Sequence, residues 1–254
     1  VRCWSFGSSA AMTLAIRSVA QSHVGLVRAG NEDSGYAGPR LLVVADGMGG
    51  HAEGARASRA LVDALGGYTH QAHMGGAAAR VRALIEDANR QLLELADALG
   101  QGVVGSTVCA MIALEGHAAL LWVGDSRIYR LRGDELAQLT TDHSQVQAMI
   151  DDGLLTPEQA ESHPASNVLI RAVGSDPDLE IDLGLERLRS GDRYLLCSDG
   201  LYRELPGDGI AAVLGASAPA EAAHSLVRQA CERGGRDNVT AVVVRIAASR
   251  PGER

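Results

Sequence analysis

The 254 residues give room for one large domain or two small ones, and a composition 46% hydrophobic and 21% charged is that of a globular chain with a sizeable core. A net charge of −8 argues against general nucleic-acid binding, which needs a basic stripe to displace counterions from the phosphate backbone. All 23 basic residues are arginine, which excludes a Walker A lysine, a Schiff base or a kinase-type strand lysine, so any phosphate must be met by arginine, backbone N–H groups or a bound cation.

Residues 1–12 are expected to form a disordered extension, 13–247 a single domain and 248–254 a tail. Pattern begins at Thr13, and residues 40–45 (RLLVVA) read as a buried strand feeding a loop at Asp46-Gly47. Residues 53–65 and 77–99 read as helices. In the second, Val81, Leu84, Ile85, Ala88, Leu92 and Leu95 recur at helical spacing, the arginines at 80, 82 and 90 belong to a solvated face, and Gly100 and Gly102 stop it. Strands follow at 106–114, 118–123, 127–131 and 135–139, separated by the turn dipeptides Glu115-Gly116, Gly124-Asp125 and Gly133-Asp134; connections this short predict antiparallel neighbours. Trp122 and Tyr129 are expected in core or sheet packing.

Residues 141–170 are polar, with short amphipathic helices at 145–150 and 157–160, and read as a surface insertion. A strand at 193–197, a helix at 219–232 and a Val-rich strand at 238–246 close the chain. Cys3, Cys109, Cys197 and Cys231 include no CxxC pair, which fits neither a disulfide framework nor a zinc site and favours a reducing compartment. No apolar run reaches the ~18 residues of a membrane span and no signal-peptide core is present, so a cytoplasmic location is expected.

Four strand or loop ends carry an aspartate beside glycine, serine or asparagine: Asp46-Gly47, Gly124-Asp125-Ser126, Ser198-Asp199-Gly200 and Asp237-Asn238. A fifth acidic cluster, Asn31-Glu32-Asp33, follows Arg28. Each alone reads as a turn. Asp46 and Asp199, however, stand directly after apolar strands, where a rigid scaffold holds them. Converging carboxylates repel one another unless a hard divalent cation neutralises them, and an all-oxygen donor set suits Mg²⁺ or Mn²⁺ rather than Zn²⁺.

The order of these pieces resembles the metal-dependent protein Ser/Thr phosphatases of the protein phosphatase 2C type, bacterial branch, over residues 13–247. Eight motifs carry the resemblance: GLVRAGNEDS at 25–34, VVADGMGGH at 43–51, GST at 105–107, WVGDSR at 122–127, LTTDHS at 139–144, RAVG at 171–174, CSDGL at 197–201 and GRDNVT at 235–240. It implies an α+β, four-layer sandwich of two antiparallel β-sheets flanked by helices, with a flap at about 141–170. It further implies two Mn²⁺ or Mg²⁺ ions bridged by Asp46, with the Gly47 carbonyl as a ligand, Asp199 and Asp237 completing one shell and Glu32 serving the other. Asp33 would steady the attacking water and Arg28 clamp the phosphate, since a guanidinium meets phosphate with two parallel hydrogen bonds. Asp125 and Asp199 would hold a weaker third ion.

The activity implied is metal-activated water attack on phosphoserine and phosphothreonine by a monomeric enzyme, reversing a bacterial Ser/Thr kinase. No nucleic-acid or membrane partner is expected. One departure stands out. The eukaryotic pattern places a histidine two positions after the bridging aspartate, where this chain has Met48, which leaves the general acid unassigned among His51, His143, His163 and a water.

Three rival readings exist. Gly47-Met48-Gly49-Gly50-His51-Ala52 spells a dinucleotide fingerprint, but the Gly-rich segment 68–76 offers no second strand to close a βαβ unit. Cys197 and Arg203 have the spacing of cysteine-dependent phosphatases, but Asp199 inside that loop would repel the dianion, so Cys197 reads as a buried strand residue. A catalytically silent phosphoprotein- or kinase-binding module would be expected to lack ligands that are all present here.

Overall fold

The computed structural model describes residues 14–100 and 102–248; the expected extension at 1–12 and the tail from 249 lie outside them. In chain order the elements are β1 (Leu14–His23), β2 (Asp33–Ala37), β3 (Leu41–Met48), α1 (His51–Gly66), α2 (Met74–Leu99), β4 (Gly105–Ser106), β5 (Val108–Leu114), β6 (His117–Val123), β7 (Arg127–Arg132) and β8 (Glu135–Gln138). There follow α3 (Gln145–Asp151), α4 (Pro157–Glu161), β9 (Asp182–Arg187), β10 (Arg193–Cys197), α5 (Asp199–Tyr202), α6 (Gly207–Ala216), α7 (Pro219–Glu232) and β11 (Val239–Ala248). No described helix is long and apolar enough to cross a membrane.

Two antiparallel sheets face one another, one ordered β1-β11-β10-β7-β8 and the other β2-β3-β5-β6-β9, with β4 paired to the end of β3. Strand alternation sorts the side chains into three apolar layers. Leu41, Val43 and Ala45 of β3 pack with α1 and α2 on one outer face. Leu195 and Cys197 of β10 pack with α6 and α7 on the other. The intervening residues, among them Leu42, Val44, Met111, Tyr194, Leu196, Val242 and Val244, fill the space between the sheets. The result is the expected four-layer α/β/β/α sandwich.

Several local expectations change. The strand expected to stop at residue 45 continues to Met48, so Asp46 lies within β3 instead of after it. Gly124-Asp125 is not a hairpin turn: β6 belongs to one sheet and β7 to the other, so this step carries the chain across the sandwich. Strands β2 and β9 and helices α5 and α6 are additional. Arg90 stays on an exposed face, as does Arg80, whereas half-buried Arg82 donates to the Ile181 carbonyl at 2.9 Å. Trp122 and Tyr129 are buried as expected. Helix α1 leads to α2 without an intervening strand, so the dinucleotide unit does not form.

Candidate metal centre

Continuing the alternation beyond the apolar residues predicts what happens at one end of the sandwich. On β3, Leu42 and Val44 face the other sheet, and Asp46 follows in the same phase. Asp33 of β2 pairs directly with Asp46. Thr107, Ser198 and Thr240 continue the inward-facing rows of β5, β10 and β11. The core between the sheets therefore changes from aliphatic to oxygen-rich over one residue step, and a cleft of about 1020 Å³ opens there.

Arg28, Glu32, Asp46, Gly47, Asp125, Asp199 and Asp237 all line this cleft. Asp33, the remaining predicted residue, is buried beneath it, with Oδ2 accepting from Ser198 Oγ at 2.7 Å. Burial is the largest effect on Asp33, Asp46, Asp125 and Asp199, and repulsion from neighbouring acids adds to it. Asp33 and Asp125 are each pushed up to about 7. Asp46 is raised well above the usual carboxylate range by burial and then by Asp33 and Asp199. Burial also raises Asp199, against the opposing pull of Arg203.

Such strain on the charged forms, together with buried Asp33 Oδ1 and Asp199 Oδ1 that lack hydrogen-bond partners, fits a site where a hard cation would offset the crowded negative charge. Among the described residues, no three acidic, imidazole or thiol groups close on one point. Arginines stand against the acids instead: Arg28 Nη2 lies 2.7 Å from Asp237 Oδ2, and Arg203 Nε 2.9 Å from Asp199 Oδ2.

Backbone contacts set the candidate residues. The Asp46 N–H donates to Thr107 Oγ1 at 3.0 Å, while its carbonyl accepts from Thr107 N at 2.8 Å and Ser106 Oγ at 3.0 Å, so the GST motif grips Asp46. Thr107 Oγ1 also meets Ser126 Oγ at 2.7 Å, which links the sheet-to-sheet step to the same clamp. Asn238 fastens the loop carrying Arg28 and Glu32: its Oδ1 accepts from Glu32 N at 2.8 Å, and its Nδ2 donates to the carbonyls of Val24 and Gly30 at 2.8 and 2.9 Å. At Gly54 in α1, a Cβ would stand 2.0 Å from Glu32 Oε2.

Of the histidine candidates, neither His143 nor His163 lines the cleft. His143 is buried, accepts from Gly124 N at 3.1 Å and contacts Arg171, and burial followed by that arginine lowers its pKa, so it supports the Gly124-Asp125 step as a neutral ring. His163 Nδ1 accepts from Ala165 N. The side chain of His51 lies outside what is described. Cys197 is fully buried with its thiol pKa pushed well above normal, chiefly by burial, which removes it as a nucleophile. The motifs pointed to the acids, but the roles of Asn238, Ser198, Thr107 and Arg171 follow only from which segments meet. Arg171 lines the cleft and pairs with Asp182 and Glu180 at 2.8 and 2.9 Å. The segment 141–170 is stitched at its base by an isolated bridge between Ser144 and Leu169, and Asn167, Leu169 and Ile170 form one wall of the cleft.

A family profile described as Protein phosphatase 2C matches residues 31–232. The chain is 42% identical over 237 residues to the serine/threonine protein phosphatase PstP of Mycobacterium tuberculosis, covering 92% of this chain and 46% of that protein, so it spans about half the length of that relative. It is 35% identical to the protein phosphatase PhpP of Streptococcus pneumoniae, over 87% of this chain and 94% of the relative. A solved PstP catalytic domain in complex with two manganese ions superposes with a TM-score of 0.85 at 38% identity, covering 92% of this chain and all of that one. PppA, described as a key regulatory component of the type VI secretion system in Pseudomonas aeruginosa, superposes at 0.86, also at 38% identity, covering 92% of this chain and all of that one.

Proposed function

The chain belongs to the protein phosphatase 2C family, and from that premise we propose that it is a metal-dependent protein phosphatase hydrolysing phosphoserine and phosphothreonine. The observation that carries the proposal is the single cleft at the end of the sandwich, where five separate chain segments bring Arg28, Glu32, Asp46, Asp125, Asp199 and Asp237 together. Asp46, Asp199 and Asp237 would hold one Mn²⁺ or Mg²⁺, Asp46 with Glu32 would hold a second, and the Gly47 carbonyl would be a further ligand of the pair. Bound there, the ions would supply positive charge against the phosphate dianion and a water acidic enough to attack near neutral pH.

The chain's own residues do the rest. Asp33, beside Asp46 and held by Ser198, would accept a hydrogen bond from the attacking water. Arg28 is half-exposed at the rim, and its guanidinium can exchange the Asp237 carboxylate for a phosphate oxygen. Phosphorus gains a bond to the water oxygen and loses its bond to the serine or threonine oxygen, releasing the alcohol and inorganic phosphate. We take the substrates to be products of a Ser/Thr kinase, the flap to be residues 141–170, and the working form to be a cytoplasmic monomer, because one chain supplies every residue of the site.

The test is p-nitrophenyl phosphate and phosphopeptide hydrolysis with Mn²⁺. Asp46→Asn and Asp237→Asn chains are expected to keep the wild-type circular dichroism and lose turnover, and EDTA to abolish the wild-type rate. A near wild-type rate in either variant, or activity that survives EDTA and dies with a thiol alkylator, would overturn the proposal.

A further inference from the structure

Asp125 and Asp199, the pair expected from the sequence to hold a weaker third ion, already share a cation that belongs to the chain. Arg203 follows Asp199 by one helical turn; its Nε lies 2.9 Å from Asp199 Oδ2 but is not aligned to donate to it, and its Nη2 lies 3.7 Å from Asp125 Oδ2, so the guanidinium faces both acids as a charge and hydrogen-bonds to neither. The flap holds the same guanidinium from the other side. Nη2 donates to the Ser166 carbonyl at 2.9 Å, and Nη1 donates to Asn167 Oδ1.

The backbone beneath is fixed as well. The Tyr202 ring lies 3.6 Å under the Arg127 guanidinium, which forks onto Asp142, and the Tyr202 hydroxyl donates to the Asp125 carbonyl at 3.2 Å. Arg203 faces only one oxygen of Asp199. The other, Oδ1, is buried without a hydrogen-bond partner and stays free for an ion of the core pair.

We propose that Arg203 is a built-in substitute for a third metal ion: it joins Asp125 to Asp199, ties both to the flap, and leaves this chain with a two-ion centre. The inference rests on the metal-dependent reading above and deepens it. A guanidinium is charged at every working pH, and this one gives two hydrogen bonds to flap oxygens while its charge faces the two acids. A divalent ion entering between Asp125 and Asp199 would sit a few ångströms from that fixed positive charge and would have to expel it. This also gives the arginine of the Cys197-to-Arg203 spacing a task that involves no thiol.

Mn²⁺ stoichiometry, measured by equilibrium dialysis of the EDTA-stripped chain, tests the inference. The wild-type chain and Asp125→Asn are each expected to bind two ions, and Arg203→Gln to bind three, the extra one weak and lost again in the Arg203→Gln/Asp125→Asn double variant. Three ions on the wild-type chain falling to two in Asp125→Asn would overturn the inference, and so would two ions on a folded Arg203→Gln. If Arg203→Gln does not fold, the comparison of wild type with Asp125→Asn decides alone. Failure of the underlying reading has a different signature: an Asp237→Asn chain that binds as many ions as wild type.

Discussion

Glu32 reaches the cleft because residue 54 has no side chain. Adding a Cβ there would meet Glu32 Oε2 at 2.0 Å and the Gly47 backbone carbon at 3.0 Å, so the carboxylate must swing away and α1 must also ease off β3. Gly54→Ala is therefore expected to cost about 1–3 kcal/mol, the usual cost of overpacking, partly offset by the helix preference of alanine over glycine. The Mn²⁺ concentration for half-maximal activity should rise roughly tenfold or more, as when the support of a metal ligand is lost. Titrating activity against Mn²⁺ checks this, and an unchanged requirement would show that Glu32 holds no ion. Asn238→Ala removes three hydrogen bonds from a buried side chain and should cost roughly 2–4 kcal/mol in urea unfolding, along with the placement of Arg28. At this scale the acids were legible because eight motifs fall in one order and three of them, at 43–51, 122–127 and 197–201, set an aspartate beside glycine, which together is a dense signal. The residues that hold them were not, because an asparagine that binds residues 24, 30 and 32 from position 238 shows no local pattern.

Among the elements, β3 illustrates both what a sequence discloses and what it hides. Its continuous apolar run marks a strand buried on both faces, and the two-residue period then fixes that Asp46 points between the sheets. Leu42→Ala, at full burial in the same row, should open a cavity between the sheets and cost about 2–5 kcal/mol by chemical denaturation. A loss under ~1 kcal/mol would mean that the sheets close up around the gap. Strand β2 (DSGYA) escapes notice because its inward positions are Asp33, Gly35 and Ala37, two of them too small to signal a core and the third charged. Strand β9 carries a clean alternation but turns Leu183 and Leu185 outward, so its pattern argues for the wrong face. Helix α6 opens with Gly-Asp-Gly, which reads as loop. The step at Gly124-Asp125 was mistaken for a hairpin because a short link between two strands looks the same whether they pair or lie in opposite sheets.

Across the whole molecule, the concentration of raised acids makes stability depend on pH in an unusual direction. Asp33 and Asp125 titrate at about 7 in the folded chain and near 3.9 when unfolded, so the metal-free fold retains protons that the unfolded chain has released. Their contribution is complete below about pH 4 and is lost as pH rises through 7. In EDTA the melting temperature should therefore fall between pH 6 and 8, and Mn²⁺ should raise it more at pH 8 than at pH 6. Scanning fluorimetry across that range reads both, and a metal-free melting temperature that climbs with pH would contradict the assigned ionisation of the cleft.

The pairing of β1 with β11 places Leu14 opposite Ala248, roughly 5 Å apart, while the other end of the same ladder, at His23 and Val239, lies about 30 Å away, next to Asp237 and Asn238 of the cleft. Both described ends thus leave the sandwich on the side remote from the chemistry. The fold is close to a ring with one missing link. Joining 14 to 248 through a short glycine-serine bridge and opening the chain at the exposed Glu115-Gly116 hairpin should give a permuted protein with the same Mn²⁺ dependence, and any polypeptide fused at either end would trail away from an incoming phosphoprotein instead of crossing its path.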